Sequence, residues 1–288
     1  MRETGMQDLF EKIQERLDAG EDLVLAVVTE ASGNTPRGKG AAMLIGPSGT
    51  ICGSIGGGAL EGVALKDAAA CLAEKRSGQI AFRMDSDAAA EDGMICGGSA
   101  TVLLQYIAAG QKDWLQQLKE QIGADSPLFA APERAFIFGG GHIAAALAPI
   151  LKSVGFLVVV MDDRAEFADP ERFPDAAQVV CGDFRTLEKF FTFCESDYAV
   201  VITSGHIHDF EVEEQLLRRE LAYIGVIGSR KKTAAVNAKL REAGISEEAL
   251  AKVHTPIGLA IGAVTPEEIA VSIAAEMIQV RAERRKGS

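Results

Sequence analysis

The stretch Phe136-Ile137-Phe138-Gly139-Gly140-Gly141-His142-Ile143-Ala144 decides the fold of the second half of the chain. An apolar run of strand length ends in three glycines and opens into an alanine-rich helical stretch, which places a GxGxxA pattern between a strand and a helix. Gly139 permits the tight turn, Gly141 lets a phosphate approach the backbone, Ala144 permits close helix–strand packing, and the helix N-terminus favours an anion. Strand-like runs at 135–138, 156–161, 177–180, 198–203 and 222–227 alternate with helical stretches, and this predicts a Rossmann-like, doubly wound parallel sheet. The second strand closes on Asp162 and Asp163, at the position where an acidic residue of this architecture holds a ribose hydroxyl. The same glycines would serve packing alone if the crevice bound nothing, because this fold hosts many functions.

All four histidines lie in this half of the chain. His142 follows the first strand, His206 and His208 follow the fourth in Gly205-His206-Ile207-His208-Asp209, and His254 precedes Thr255-Pro256-Ile257-Gly258. Ligands of open α/β sheets bind at the carboxyl ends of the strands, so these loops are expected to converge with Ser229 and Arg230 on one crevice. His206, His208 and Asp209 could bind a divalent metal, but the sequence offers no complete ligand set and no metal is assigned. The last segment has Thr265 as N-cap, Pro266 at the first helical position and Glu267-Glu268 in the first turn, which predicts a closing helix to about Arg284.

Working back towards the N-terminus, the pattern weakens between about residues 108 and 134, where an amphipathic segment, Gln111 to Gln121, gives way to Gly123-Ala124-Asp125-Ser126-Pro127 and Pro132, both loop signals. The expected organisation is a small α+β domain over 1–110, a linker over 111–134 and the parallel-sheet domain over 135–288. In the first domain, Leu9, Ile13 and Leu17 have helical spacing, Leu23 to Val28 reads as a strand, and Gly46-Pro47-Ser48-Gly49 joins a hairpin. Ala59 to Glu74 reads as a helix, followed by strands at 80–84 and 100–107.

Three small-residue loops stand out there: Gly33 to Ala41 with Pro36, Arg37 and Lys39; Gly53 to Glu61 with Gly56, Gly57 and Gly58; and Gly93 to Gly98 with Cys96, Gly97 and Gly98. Backbone N–H groups in such loops form anion nests, and the three-glycine run opens a helix whose dipole adds to the field. The GKS/T ending of a P-loop is missing, so nucleotide hydrolysis is not indicated. A tight strand-to-helix connection at Gly56–Gly58 and a bulge at Gly97–Gly98 would explain the same residues without a ligand. Cys96 is the thiol to single out, since flanking glycines would expose it and nearby backbone donors would lower its pKa; a buried, inert cysteine is the alternative.

Composition narrows the function. The chain has 288 residues, enough for about two domains, with 48% hydrophobic and 24% charged residues and a glycine excess of 30. A net charge of -12 disfavours nucleic acid and anionic membrane as partners. The first ten residues lack a basic segment followed by an apolar one, so a cytoplasmic protein is expected. Five widely spaced cysteines without a CxxC pair predict free thiols.

Taken in order along both halves, these segments resemble the xanthine dehydrogenase accessory family, the molybdenum-cofactor chaperones that include the carbon monoxide dehydrogenase accessory proteins. The resembling pieces are Pro36-Arg37 leading to Gly40-Ala41-Ala42-Met43, Gly53 to Glu61, Cys96-Gly97-Gly98, Phe138 to His142, Asp162-Asp163-Arg164 with Arg172-Phe173-Pro174, and Gly205 to Asp209. Tyr223-Ile224-Gly225, Gly228-Ser229-Arg230, Pro256 to Leu259 and Thr265 to Ala270 complete the series. The resemblance implies a homodimer that binds molybdopterin-type cofactor, protects it during sulfuration by a cysteine desulfurase and hands it to a molybdenum hydroxylase apoenzyme. It implies an accessory protein rather than a turnover enzyme; on that reading a Cys96 thiol that reaches the cofactor cavity is the candidate to ligate molybdenum or carry a persulfide. Two other readings are an NAD(P)-dependent oxidoreductase, which leaves the first domain without a role, and a metal-dependent hydrolase using His206, His208 and Asp209.

Overall fold

Leu23 to Val28 are all buried, and the strand they begin, β1 (Leu23–Gly33), lies at the centre of a five-stranded antiparallel sheet. The computed structural model describes residues 6–33, 35, 37–83, 98–129, 132–204 and 208–287, in two compact units, Met1–Ala131 and Pro132–Ser288. In the first unit the order is β3-β2-β1-β5-β4, with β2 at Ala42–Gly46, β3 at Gly49–Gly53, β4 at Gly78–Arg83 and β5 at Gly98–Ile107. Both sheet faces are covered. Val24, Ala26 and Val28 point to Leu60, Ala64 and Ala68 of α2 (Gly58–Glu74), while Leu23, Leu25 and Val27 pack with Leu9, Ile13 and Leu17 of α1 (Met6–Asp18). This period-two division of a continuous apolar run is why β1 carries no polar residue over its first six positions.

The stretch expected to be a linker is not one over most of its length. Residues 114–122 form α3 (Trp114–Ile122), whose Trp114 and Leu118 are buried in the same core as Ile13 and Leu25. Leu128 joins them, and the division between units falls after Ala131. The amphipathic pattern of Gln111 to Gln121 is legible, but its stripe of one aromatic and two leucines is narrow enough to read as a linker segment although it belongs to the core.

The second unit is a six-stranded, wholly parallel sheet in the order β11-β10-β9-β6-β7-β8. Its strands are β6 (Arg134–Phe138), β7 (Leu157–Asp162), β8 (Gln178–Cys181), β9 (Tyr198–Val201), β10 (Tyr223–Val226) and β11 (Val253–His254). The helices α4 (His142–Ser153) and α8 (Pro266–Gly287) cover one face, on Ile137, Val158 and Val200. The other face, with Phe136, Phe138 and Val226, receives α5 (Asp209–Leu217) and α6 (Arg230–Glu242), and the short α7 spans Glu247–Ala251. The strand order reverses between β6 and β9, as expected of a doubly wound sheet.

Two connections depart from expectation. Short 3₁₀ turns, Pro170–Arg172 and Phe184–Lys189, stand where the alternation predicted helices before β8 and β9. Pro170 and Pro174 bracket the first, and proline ends helical hydrogen bonding. The two-residue edge strand β11 is too short to be read from pattern. The closing helix begins as predicted: the Thr265 hydroxyl accepts the Glu268 N–H at 3.3 Å and the Glu268 carboxylate accepts the Thr265 N–H at 3.1 Å, a reciprocal cap. Among the described residues no helix is long and apolar enough to cross a membrane.

Candidate functional site

In the second unit the glycine turn sits between β6 and α4. Gly139 has φ +113°, and a Cβ there would overlap the Ile202 carbonyl; at Gly140 it would overlap the Phe167 carbonyl. These two glycines are therefore required by the protein's own packing. Gly141 differs, because a Cβ there would meet nothing within 4 Å. It is the N-cap of α4, with no side-chain capping bond, and His142 beside it is exposed. The protein itself gives no steric reason for a glycine at this position, whereas a ligand approaching an uncapped helix N-terminus does.

Asp162, at the end of β7, is only 1% exposed. Its carboxylate accepts the Gly140 N–H at 2.8 Å, the Arg164 N–H at 3.0 Å and two guanidinium N–H groups of Arg164 at 3.0 and 3.1 Å. Burial opposes ionisation, but these bonds outweigh it and hold the carboxyl below its usual range. Asp162 thus clamps the glycine turn. Arg164 lies 3.8 Å over the Phe167 ring and Arg172 lies 5.0 Å from it, while Arg172 donates to the Gly140 carbonyl at 3.3 Å. Sequence alone gives neither arginine a role; the signal that could have found one is the spacing of Arg164 two residues after Asp162.

Asp163 faces outward, about one-third exposed, and meets His208 Nε2 at 3.2 Å. His208 Nδ1 is buried without a hydrogen-bond partner, and the ring packs against Phe184. The expected convergence of loops therefore brings together Asp163 and His208. It does not include His254, which lies 3.5 Å from Glu276 and packs on Tyr223. Glu276 also accepts the Tyr223 hydroxyl and, at 3.0 Å, the Gly258 N–H, so this network fastens the loop after β11 to α8. His206 lies outside the described residues.

Asp209 opens α5, buried, and accepts the hydroxyl of Thr203. One turn later, Glu213 is buried as well, and burial together with the neighbouring Asp209 pushes its carboxyl up to about 8. Ser229 is the N-cap of α6, without a side-chain capping bond; Arg230 begins the helix and is followed by Lys231 and Lys232. Among the described residues no three His, Cys, Asp or Glu side chains are grouped to hold a metal.

The first unit answers the anion-nest expectation differently. The Glu61 carboxylate accepts the Ser54 hydroxyl at 2.6 Å, the Ile55 N–H at 3.1 Å and the Gly57 N–H at 3.0 Å, and the Gly56 N–H goes to the Ser54 hydroxyl at 3.2 Å. Burial raises the Glu61 pKa, but the hydrogen bonds prevail and lower it. The chain's own carboxylate thus occupies the Ile55 and Gly57 donors, and the Ser54 hydroxyl occupies that of Gly56. Arg37 is exposed and Gly98 begins β5 opposite Gly33; Pro36, Cys96 and Gly97 lie outside the described residues.

Residues 135–277 match the family model described as the XdhC Rossmann domain, and residues 16–83 match that of the XdhC and CoxI family. The chain belongs to the XdhC and CoxI family. Among curated relatives, uncharacterized protein YqeB of Escherichia coli is 29% identical over 89% of this chain and 43% of its own length. A probable xanthine dehydrogenase subunit of Bacillus subtilis is 34% identical over 51% of this chain and 43% of its own. The chain spans less than half the length of these two. The molybdenum cofactor insertion chaperone PaoD of Escherichia coli is 24% identical over 95% of this chain and 88% of its own. A crystal structure described as a xanthine dehydrogenase from Bacillus halodurans shares the fold, with TM-score 0.77 and 23% identity over 99% of this chain and 98% of that one.

Proposed function

We propose that this protein binds a molybdopterin-type cofactor and inserts it into a molybdenum hydroxylase of the xanthine dehydrogenase kind. The observation that carries the reading is the similarity to an insertion chaperone over 95% of the chain, with XdhC family matches in both units. The α4 N-terminus fits the phosphate of such a cofactor: it is uncapped, and Gly141 leaves room that the protein does not fill. The Gly56–Gly58 loop fits a phosphate less well, because the Gly56 N–H goes to Ser54 and the Ile55 and Gly57 N–H groups go to Glu61. When bound, the cofactor supplies the molybdenum centre that the hydroxylase uses. Gly141 and His142 would orient its anionic end, and Asp162 would keep the turn in place.

In the same reading the Cys96 thiol ligates the cofactor or carries sulfur, a cysteine desulfurase is the sulfur donor, and the working form is a cytoplasmic homodimer. A nucleotide in the parallel-sheet crevice is the competing ligand. The feature that favours it is Asp163, whose carboxylate is partly exposed after β7.

The test is to purify the protein from a molybdopterin-producing host, oxidise it, and measure released fluorescent pterin while titrating NAD and NADP in parallel. About one pterin per chain without nucleotide affinity is the expected result. Micromolar NAD binding without pterin would replace the chaperone by a nucleotide enzyme. Cys96→Ser should retain the fold and lose delivery to the apoenzyme; full delivery by that variant removes the thiol from the mechanism.

A further inference from the structure

The closing helix α8 is apolar on two sides. Ala270, Ile273, Ala274 and Met277 are buried against the parallel sheet and α4, as the core-facing stripe of a surface helix should be. On the opposite side Val271, Ala275, Ile278 and Ala282 follow at spacings of four, three and four residues, which sets them in one line along the helix. Val271 and Ile278 in that line are large and exposed, Val271 by 50%. The loop before the helix, Pro256 to Val264, has no polar or charged side chain, and in it Ile261 is exposed and Val264 is 80% exposed. A helix that is apolar all round belongs inside an assembly, and a continuous exposed apolar patch marks a contact surface.

The order of residues along the stripe specifies what covers it. With two α8 helices laid antiparallel about a two-fold axis that passes between positions 276 and 277, Val271 of one faces Ala282 of the other and Ala275 faces Ile278. A large side chain then meets a small one at each level, so the stripe is complementary to itself. Glu267 and Arg285, both exposed, stand 18 residues apart, which is about five turns of helix, and therefore share one flank of the stripe. The antiparallel arrangement brings Glu267 of each helix level with Arg285 of the second copy, twice by symmetry, whereas a parallel one would set like charges together. Arg285 already reaches Glu133 of its own chain at 3.4 Å, a rim contact that the second copy's carboxylate would extend into a network. We infer that this face pairs with its own copy, α8 against α8 and antiparallel. The inference rests on the homodimer of the preceding reading and assigns it a surface; it does not depend on the cofactor.

Sedimentation of the full chain across the micromolar range tests the pairing, with far-ultraviolet circular dichroism as the check on folding. A dimer is expected, and Ile278→Glu, a change at an exposed position, should turn it into a folded monomer. Glu267→Arg, on the rim, should weaken association by about tenfold, because two attractions become two repulsions. Adding Arg285→Glu to that variant should recover the dimer, a rescue that a merely structural role of either residue would not produce. A wild type that stays monomeric overturns the pairing together with the homodimer, and leaves the face to a different protein. A dimer that survives both Ile278→Glu and Val271→Glu overturns this surface alone and keeps the homodimer on another. Loss of association on charge reversal without recovery in the double variant overturns the antiparallel order.

Discussion

The Asp162 carboxylate and the Gly140 N–H meet at 2.8 Å, joining the end of β7 to the turn after β6. This bond turns the first of two adjacent acids inward and leaves Asp163 to face solvent. The two residues should then separate in a mutational test. Asp162→Asn should destabilise the protein by about 1–3 kcal/mol in denaturant unfolding at pH 7, because Arg164 and Gly140 lose a shared acceptor. Asp163→Asn should stay within about 0.5 kcal/mol. The folded pKa of Asp162 lies below its ordinary 3.8, so its contribution is present above that pH and is lost as pH falls through the folded value. The stabilities of wild type and Asp162→Asn should accordingly converge in acid. A constant gap down to about pH 2 would mean that the carboxylate charge is not what holds the turn.

Gly141 and Gly139 make a second pair with opposite expectations. Gly139→Ala places a Cβ against the Ile202 carbonyl at positive φ and should cost more than about 2 kcal/mol. Gly141→Ala meets open space and should change stability by less than about 1 kcal/mol. If the cofactor phosphate uses the α4 N-terminus, Gly141→Ala should nonetheless lower pterin content on purification. Normal pterin occupancy in that variant would move the ligand elsewhere.

Glu61→Gln removes the charge that gathers Ser54, Ile55 and Gly57. A loss of about 1–3 kcal/mol is expected near neutral pH. The folded pKa is lowered, so this contribution is present above about pH 4.5 and disappears as pH falls through the folded value. Hydrogen exchange at Ile55 and Gly57 should quicken in the variant. Unchanged exchange there would show that the backbone alone holds the loop.

Glu213 runs the other way. Its folded pKa, about 8, lies above the unfolded value near 4.5, so the stabilising effect is complete below pH 4.5 and is lost as pH rises to 8. The wild type should lose on the order of a few kcal/mol across that window. Glu213→Gln should remove most of this slope, and a slope equal to that of wild type would place the titration on another group.

Much of the architecture was legible because it rests on local rules. The run from Phe136 to Ala144 carries the strand, turn and helix in one stretch, and Thr265 with Glu268 marks a helix start. What was hidden depends on partners distant in sequence or turned in an unexpected direction. A glycine loop reads as a set of free donors, and only the fold shows that Glu61 reaches back into it. Asp162 and Asp163 are chemically identical on paper, and only the fold, which sets the Gly140 N–H against the first, shows which of them faces inward. Trp114, amid glutamines and lysines, joins a core whose main walls, α1 and β1, lie far back in the chain.

That tryptophan has an experimental consequence. It is the single indole of the chain and lies in the core of the first unit, whereas Tyr198 and Tyr223 stack within the second. Emission excited at the red edge of absorption therefore reports on one unit alone, while far-ultraviolet circular dichroism reports on both. Superposable melting curves from the two signals would mark the pair as a single cooperative block, and separated curves would assign the earlier or later transition to its half without any engineered label.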